Sequence, residues 1–83
     1  MLSGDYMCIA IPGQITFING SYADIDTMGI ESKVYVGLIE NPTKGDFVLI
    51  HAGCAIQKID EEYFYYLENA FQAILDEDNY NYE

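Results

Sequence analysis

The segment Gln14-Ile15-Thr16-Phe17-Ile18-Asn19-Gly20-Ser21-Tyr22-Ala23-Asp24-Ile25-Asp26-Thr27 reads as a β-hairpin. Gln14 to Ile18 is rich in β-branched and aromatic side chains, which fit a pleated surface better than a helix. Asn19-Gly20 follows, a dipeptide that accepts the positive φ of a two-residue hairpin turn. Tyr22 to Thr27 then alternates. Ala23 and Ile25 fall on one face and Tyr22, Asp24 and Asp26 on the other, the period of a strand buried on one side.

Outward from this hairpin the chain keeps the same habit. On its N-terminal side, Met7-Cys8-Ile9-Ala10-Ile11 is an apolar run that Pro12-Gly13 breaks. Cys8 is thus expected at the lip of the first strand, presented by a Pro-Gly turn. Residues 1–6 (Met-Leu-Ser-Gly-Asp-Tyr) are out of register with the rest and read as a leader: an alternative start, a cloning remnant or a disordered segment ahead of Met7. On the C-terminal side Gly29 marks a turn. Residues 30–39 read as a third strand, with Ile30, Val34, Val36 and Leu38 on one face and Glu31, Lys33 and Tyr35 on the other. Asn41-Pro42-Thr43-Lys44-Gly45-Asp46 is a loop, Phe47 to His51 a fourth strand, and Ala52-Gly53 bends the chain into a fifth, Cys54 to Ile59. Five short strands joined by Gly, Asn and Pro turns predict a mainly β domain, a small closed or half-closed antiparallel barrel over residues 7–59. Closure also removes the exposed edges that a small sheet cannot otherwise protect.

Asp60 changes the period. It is a good helix N-cap, and Glu61 and Glu62 fall where the positive end of the helix dipole favours acids. Phe64, Leu67, Phe71, Ile74 and Leu75 recur at helical spacing. One C-terminal helix is expected over residues 60–77, its apolar stripe laid on the barrel and its last turn near Asp76. Residues 78–83 are expected as a frayed acidic tail. The chain is then a single domain, 7–77.

Eighty-three residues give a modest core, for which eight Tyr and four Phe supply bulk in the absence of Trp. Three Lys, no Arg and fourteen acids leave a net charge of −11. Such a field repels phosphate backbones and anionic membrane surfaces, so nucleic acid and membrane are poor partners. A protein with a basic face or a small ligand fits better. Residues 60–83 hold eight of the acids (Asp60, Glu61, Glu62, Glu68, Asp76, Glu77, Asp78 and Glu83) and no Lys or Arg, so a solvated helix face accounts for most of the charge. No segment approaches the roughly 18–20 apolar residues of a membrane span, and no basic region precedes an apolar run as in a secretory signal. Two cysteines in such a chain predict free thiols in a reduced, cytoplasmic compartment.

The groups able to carry chemistry are few: Cys8, His51 and Cys54. Cys8 is either an inert buried thiol or a soft ligand at a strand mouth. His51 ends an apolar strand and is either a satisfied strand-end histidine or a ligand. His51-Ala-Gly-Cys54 places two ligand-capable residues three apart, but a closed zinc site needs four donors and an open one at least three. No glycine-rich phosphate loop, paired-carboxylate signature or organic-cofactor motif is present, and no third group marks a nucleophile–base pair. The chain therefore does not read as an enzyme.

These residues resemble a known family. Met7-Cys8-Ile-Ala-Ile-Pro12-Gly13 is similar to the opening signature of the HypC/HupF family of NiFe-hydrogenase maturation chaperones. Lys44-Gly45-Asp46-Phe47-Val-Leu-Ile-His51-Ala-Gly53-Cys54-Ala-Ile56 looks like that family's second block, and the resemblance spans about residues 7–75. It implies an OB-like barrel with one C-terminal helix. It also implies a chaperone that binds a HypD-type scaffold protein and the hydrogenase large-subunit precursor, passing between them an iron carrying cyanide and carbon monoxide. The family's essential cysteine maps onto Cys8 and its histidine onto His51, both expected as partner- or iron-binding groups. Met7, Pro12, Gly13, Gly45, Asp46 and Gly53 support the motifs. Cys54 stands where the family commonly has phenylalanine and reads as packing, with a second ligand or a redox partner as the other readings. Two rival functions remain: a small thiol-redox protein using Cys8 and Cys54, and an OB-type nucleic-acid module, against which the charge argues.

Overall fold

Six elements follow in chain order: β1 (Ile11–Asn19), β2 (Tyr22–Thr27), β3 (Ile30–Tyr35), β4 (Phe47–His51), β5 (Cys54–Ile59) and α1 (Glu61–Asn81). The structure is a computed structural model and describes residues 10–81. The expected leader 1–6, together with Met7 and Cys8, lies outside the described residues, as do the last two positions of the tail.

The strands close into a barrel in the order β1-β2-β3-β5-β4, with β4 back against β1. β1–β2, β2–β3 and β4–β5 pair antiparallel through two-residue turns, and β1 also pairs β4 antiparallel. The closing seam differs in direction: β3 meets β5 in a parallel bridge, Tyr35 to Cys54. The barrel and its single C-terminal helix are the predicted architecture. Its interior is filled by Ile15, Ala23, Ile25, Val34, Val36, Val48 and Ala55, with Ile18, Ile39 and Ile50 packed against them. Each of these branched side chains gains about 1.5–3 kcal/mol by leaving water, which is why a barrel this small can stand.

The turns follow from backbone conformation. Met28 (φ 50°) and Gly29 (φ 89°) are both left-handed, and so are Ala52 (φ 53°) and Gly53 (φ 79°), the pattern of type I′ turns that match strand twist. The first hairpin differs from expectation by one residue. Asn19 pairs with Tyr22, so the turn is Gly20-Ser21, with positive φ at Gly20. The shift follows from a bulge: Ile15 pairs Ile25 and Phe17 pairs Asp24, which leaves Thr16 as an extra residue in β1. The Thr16 hydroxyl lies 3.0 Å from the Asp24 carbonyl and donates to Glu31 Oε2 at 2.6 Å, tying the bulge to β2 and β3.

Two further expectations change. Pro12-Gly13 forms no turn; both residues belong to β1, with Pro12 opposite Leu49 and Gly13 opposite Val48. β2 joins β1 only from Gln14 onward, so Pro12 lies where one side of the strand has no ladder and its missing N–H is tolerated. Gly13 is fixed by crowding: a Cβ there would lie 2.5 Å from Ile25 Cγ2 and 2.9 Å from Ile50 Cδ1. The third strand stops at Tyr35, leaving Leu38 62% exposed in the connection to β4. Tyr35 covers Gly37, whose Cβ would collide with the tyrosine ring, so the chain turns off the sheet there.

The helix begins as its cap predicts, with Asp60 Oδ1 accepting from Tyr63 N at 2.8 Å and Asp60 O accepting from Phe64 N at 3.0 Å. Phe64 is buried and stacks on Phe47 of β4 with centroids 4.3 Å apart, while Tyr65 meets Phe64 edge-on at 5.1 Å. The rest of the stripe is less covered: Leu67 and Phe71 are half-buried and Ile74 is 56% exposed. α1 reaches Asn81, past the Asp76 end given by the stripe, because no Gly or Pro interrupts it. Its 21 residues extend about 31 Å.

Two outcomes are expected from this packing. Gly13→Ala overfills the β1–β4 seam and should cost about 1–3 kcal/mol in urea unfolding, with the slope unchanged. Met28→Asn replaces a side chain that resists the left-handed region with one that tolerates it, and should raise unfolding free energy by about 0.5–1 kcal/mol in the same assay.

Candidate functional site

β4 carries the second motif and sets its geometry. Val48 is fully buried and Ile50 packs against the core, so by strand alternation His51 faces the outside of the barrel. On β5, Ala55 is fully buried, so Cys54 faces outward too. His51 and Cys54 are directly opposed partners across the Ala52-Gly53 turn. They therefore share one face, and both are half-buried. Cys54 carries a free thiol. Its backbone is held from two strands, β4 through His51 and β3 through Tyr35, and Gly53 O accepts from Tyr35 N at 3.0 Å.

On the other flank of β4, Ile11 pairs Ile50, one residue short of His51. β1 thus enters the barrel at the end where the β4–β5 hairpin turns. Cys8 lies outside the described residues.

The remaining motif positions are structural. Gly45 takes φ 97°, open to glycine, and donates to Ile15 O at 2.8 Å. Asp46 O accepts from Ile15 N at 2.9 Å, and Asp46 Oδ2 accepts from Thr43 N at 2.9 Å and pairs with Lys58 Nζ at 3.1 Å. Lys58 also donates to Asn41 O at 2.8 Å. Gly45-Asp46 therefore clamps the long connection onto β1 and β5 and sets where β4 starts, four residues before His51. Gly53 supplies the second left-handed position of the hairpin turn.

Among the described residues no three His, Cys, Asp or Glu side chains group as a metal site, so His51 and Cys54 form a pair and not a closed cage. The roomiest groove described, about 820 Å³, lies elsewhere, between Leu38 to Asn41 and Ile56 to Lys58, and contains neither histidine nor cysteine. No helix among the described residues is long and apolar enough to cross a membrane. The shared face of His51 and Cys54 was not read from the sequence, although their spacing around Ala52-Gly53, a two-residue turn, is the signal that carries it.

A family model described as the HupF/HypC family matches residues 7–71, a span containing Cys8, the Pro12-Gly13 seam, His51 and the start of α1. This chain belongs to the HupF/HypC family. The HupF/HypC member described here is 43% identical over 61 residues to "Hydrogenase maturation factor HypC" of Escherichia coli (strain K12), covering 66% of this chain and 68% of that protein. It is 40% identical over 58 residues to the factor of the same name in Helicobacter hepaticus, covering 68% and 67%. Against that of Cupriavidus necator it is 33% identical over 57 residues, covering 68% and 63%.

The clamp gives a direct expectation. Asp46→Ala removes an acceptor for Thr43 N together with the Lys58 partner, and should lower stability by about 1–2 kcal/mol. Asp46→Asn keeps an acceptor and loses only a solvent-exposed ion pair, worth about 1 kcal/mol or less. Denaturant unfolding of the two variants side by side separates the terms.

Proposed function

We propose that this chain is a cytoplasmic chaperone of NiFe-hydrogenase maturation. In this reading it engages a HypD-type scaffold protein and the hydrogenase large-subunit precursor in turn. Its cargo is an iron atom carrying cyanide and carbon monoxide. The observation that supports the reading is the HupF/HypC family match over residues 7–71, a span that holds both Cys8 and the outward-facing His51.

The chemistry suits these groups. A thiolate is a soft donor that binds iron well, and imidazole is a competent second donor. A thiolate at Cys8 holds the cargo or the partner, and His51 supports it from the neighbouring strand. Neither group performs a bond-breaking step, so the role is binding and presentation, not catalysis. The acidic surface, with a net charge of −11, steers the chain toward a basic patch on its partner and keeps it away from nucleic acid. The thiol-redox alternative requires Cys54 in function and predicts that Cys54→Ser abolishes hydrogenase maturation.

The test is an anaerobic pull-down of the full chain from hydrogenase-producing cells, wild type beside Cys8→Ala. Recovered proteins are identified, and cyanide and carbonyl infrared bands are read on the same samples. Wild type is expected to recover a scaffold or precursor with the bands, and Cys8→Ala to lose at least tenfold of both. Equal recovery by the two chains would remove Cys8 from the mechanism, and recovery of neither partner by wild type would remove the chaperone reading.

A further inference from the structure

We propose that the outer edge of β5, with the groove beside it, takes an extended cationic segment of a partner protein, which adds to the barrel as a strand. The groove contains neither His51 nor Cys54, so the inference does not depend on the chaperone reading.

The seam between β3 and β5 is held at two points. At one end Tyr35 bridges Cys54, and Tyr35 N donates to Gly53 O at 3.0 Å. At the other, beyond the end of β3, Lys58 Nζ donates to Asn41 O at 2.8 Å. Between these points the connection turns its bonds inward on itself, with Ile39 N donating to Val36 O. Among the described residues, no backbone hydrogen bond joins 37–41 to 56–58. β5 pairs β4 along its inner side, so alternate N–H and C=O groups of its outer side open onto the groove of about 820 Å³. Three residues of strand extend about 10 Å, which admits a segment of about three or four residues. Unpaired edge groups of this kind recruit an added strand unless something covers them.

The side chains around the groove define the occupant. Leu38 and Ile56 are both exposed large hydrophobics on its two walls. Ile56 is the extra residue of a bulge, since Leu49 pairs Gln57 and Ile50 pairs Ala55. Lys58, the cation of the groove, is already engaged by Asp46 Oδ2 at 3.1 Å as well as by Asn41 O. Glu40 is exposed and has no ion pair among the described residues. The open charge of the groove is therefore negative, in a chain of net charge −11. A segment that alternates apolar residues with Lys or Arg complements this lining, and an acidic one is repelled.

The test titrates the isotopically labelled full chain with an end-blocked hexapeptide alternating Val and Lys, read from backbone amide NMR shifts. The largest shifts are expected at Leu38, Glu40 and residues 56–58, with slower hydrogen exchange in β5. The same peptide N-methylated at alternate residues loses its edge hydrogen bonds and should bind about tenfold more weakly. Leu38→Ser should weaken the Val–Lys peptide about tenfold, and Glu40→Gln about two- to fivefold. Both replace exposed side chains outside the strands, and circular dichroism checks that the barrel is intact. Absence of groove shifts, or equal binding by the N-methylated peptide or by a Val–Glu peptide, would overturn the inference. Groove shifts that follow chain concentration without peptide would give the edge to a second copy of this chain and overturn it as well.

Discussion

The close approach of β1 to β4 at Gly13 is the contact on which the rest of this molecule depends. At that point the strand has no side chain, and the space a Cβ would need is taken by Ile25 and Ile50. This lets β1 pair β2 from Gln14 onward and β4 from Ile11 to Gln14, so one strand serves both halves of the barrel. Without it the three-stranded meander and the β4–β5 hairpin would each keep an open edge. The same pairing sets Ile11, the first residue of β1, beside Ile50 near the end of β4.

The chain's functional motifs divide into groups that hold shape and groups that face out. Gly13, Gly45, Asp46 and Gly53 are used up by the backbone: a close contact, a left-handed turn, a clamp and a second left-handed turn. His51 and Cys54 face out of the barrel, both half-buried. A motif that spans both kinds of residue has to be kept whole, because the clamp at Asp46 sets the start of the strand that ends in His51. α1 adds a lid over the barrel wall through the Phe47–Phe64 stack, then continues beyond it with a more exposed apolar stripe.

Much of the architecture was legible in the residues. Alternation in Tyr22 to Thr27 placed Ala23 and Ile25 inside, where both are buried, and Asp60 capped the helix as its side chain predicts. What escaped was tertiary. Pro-Gly reads locally as a break, and only the crowding by Ile25 and Ile50, far away in the chain, explains why Gly13 is a strand residue. Asn19-Gly20 reads as the turn pair, and the Thr16 bulge moved the turn to Gly20-Ser21. Val36 is buried as expected although it lies beyond the strand, because Tyr35 over Gly37 ends the ladder early. In the candidate site the residue types were readable from spacing and family resemblance, but the common face of His51 and Cys54 required the strand register.

The most direct measurement of the central claim is paramagnetic broadening from a nitroxide attached to Cys8 in a Cys54→Ser background, read at the backbone amides of β4 and β5. The proposed function, in which Cys8 and His51 act together, predicts the strongest broadening at Ala52 and Gly53, with a steady decline along β4 toward Gly45. Uniform broadening, or a maximum near Gly45, would contradict a joint role for Cys8 and His51.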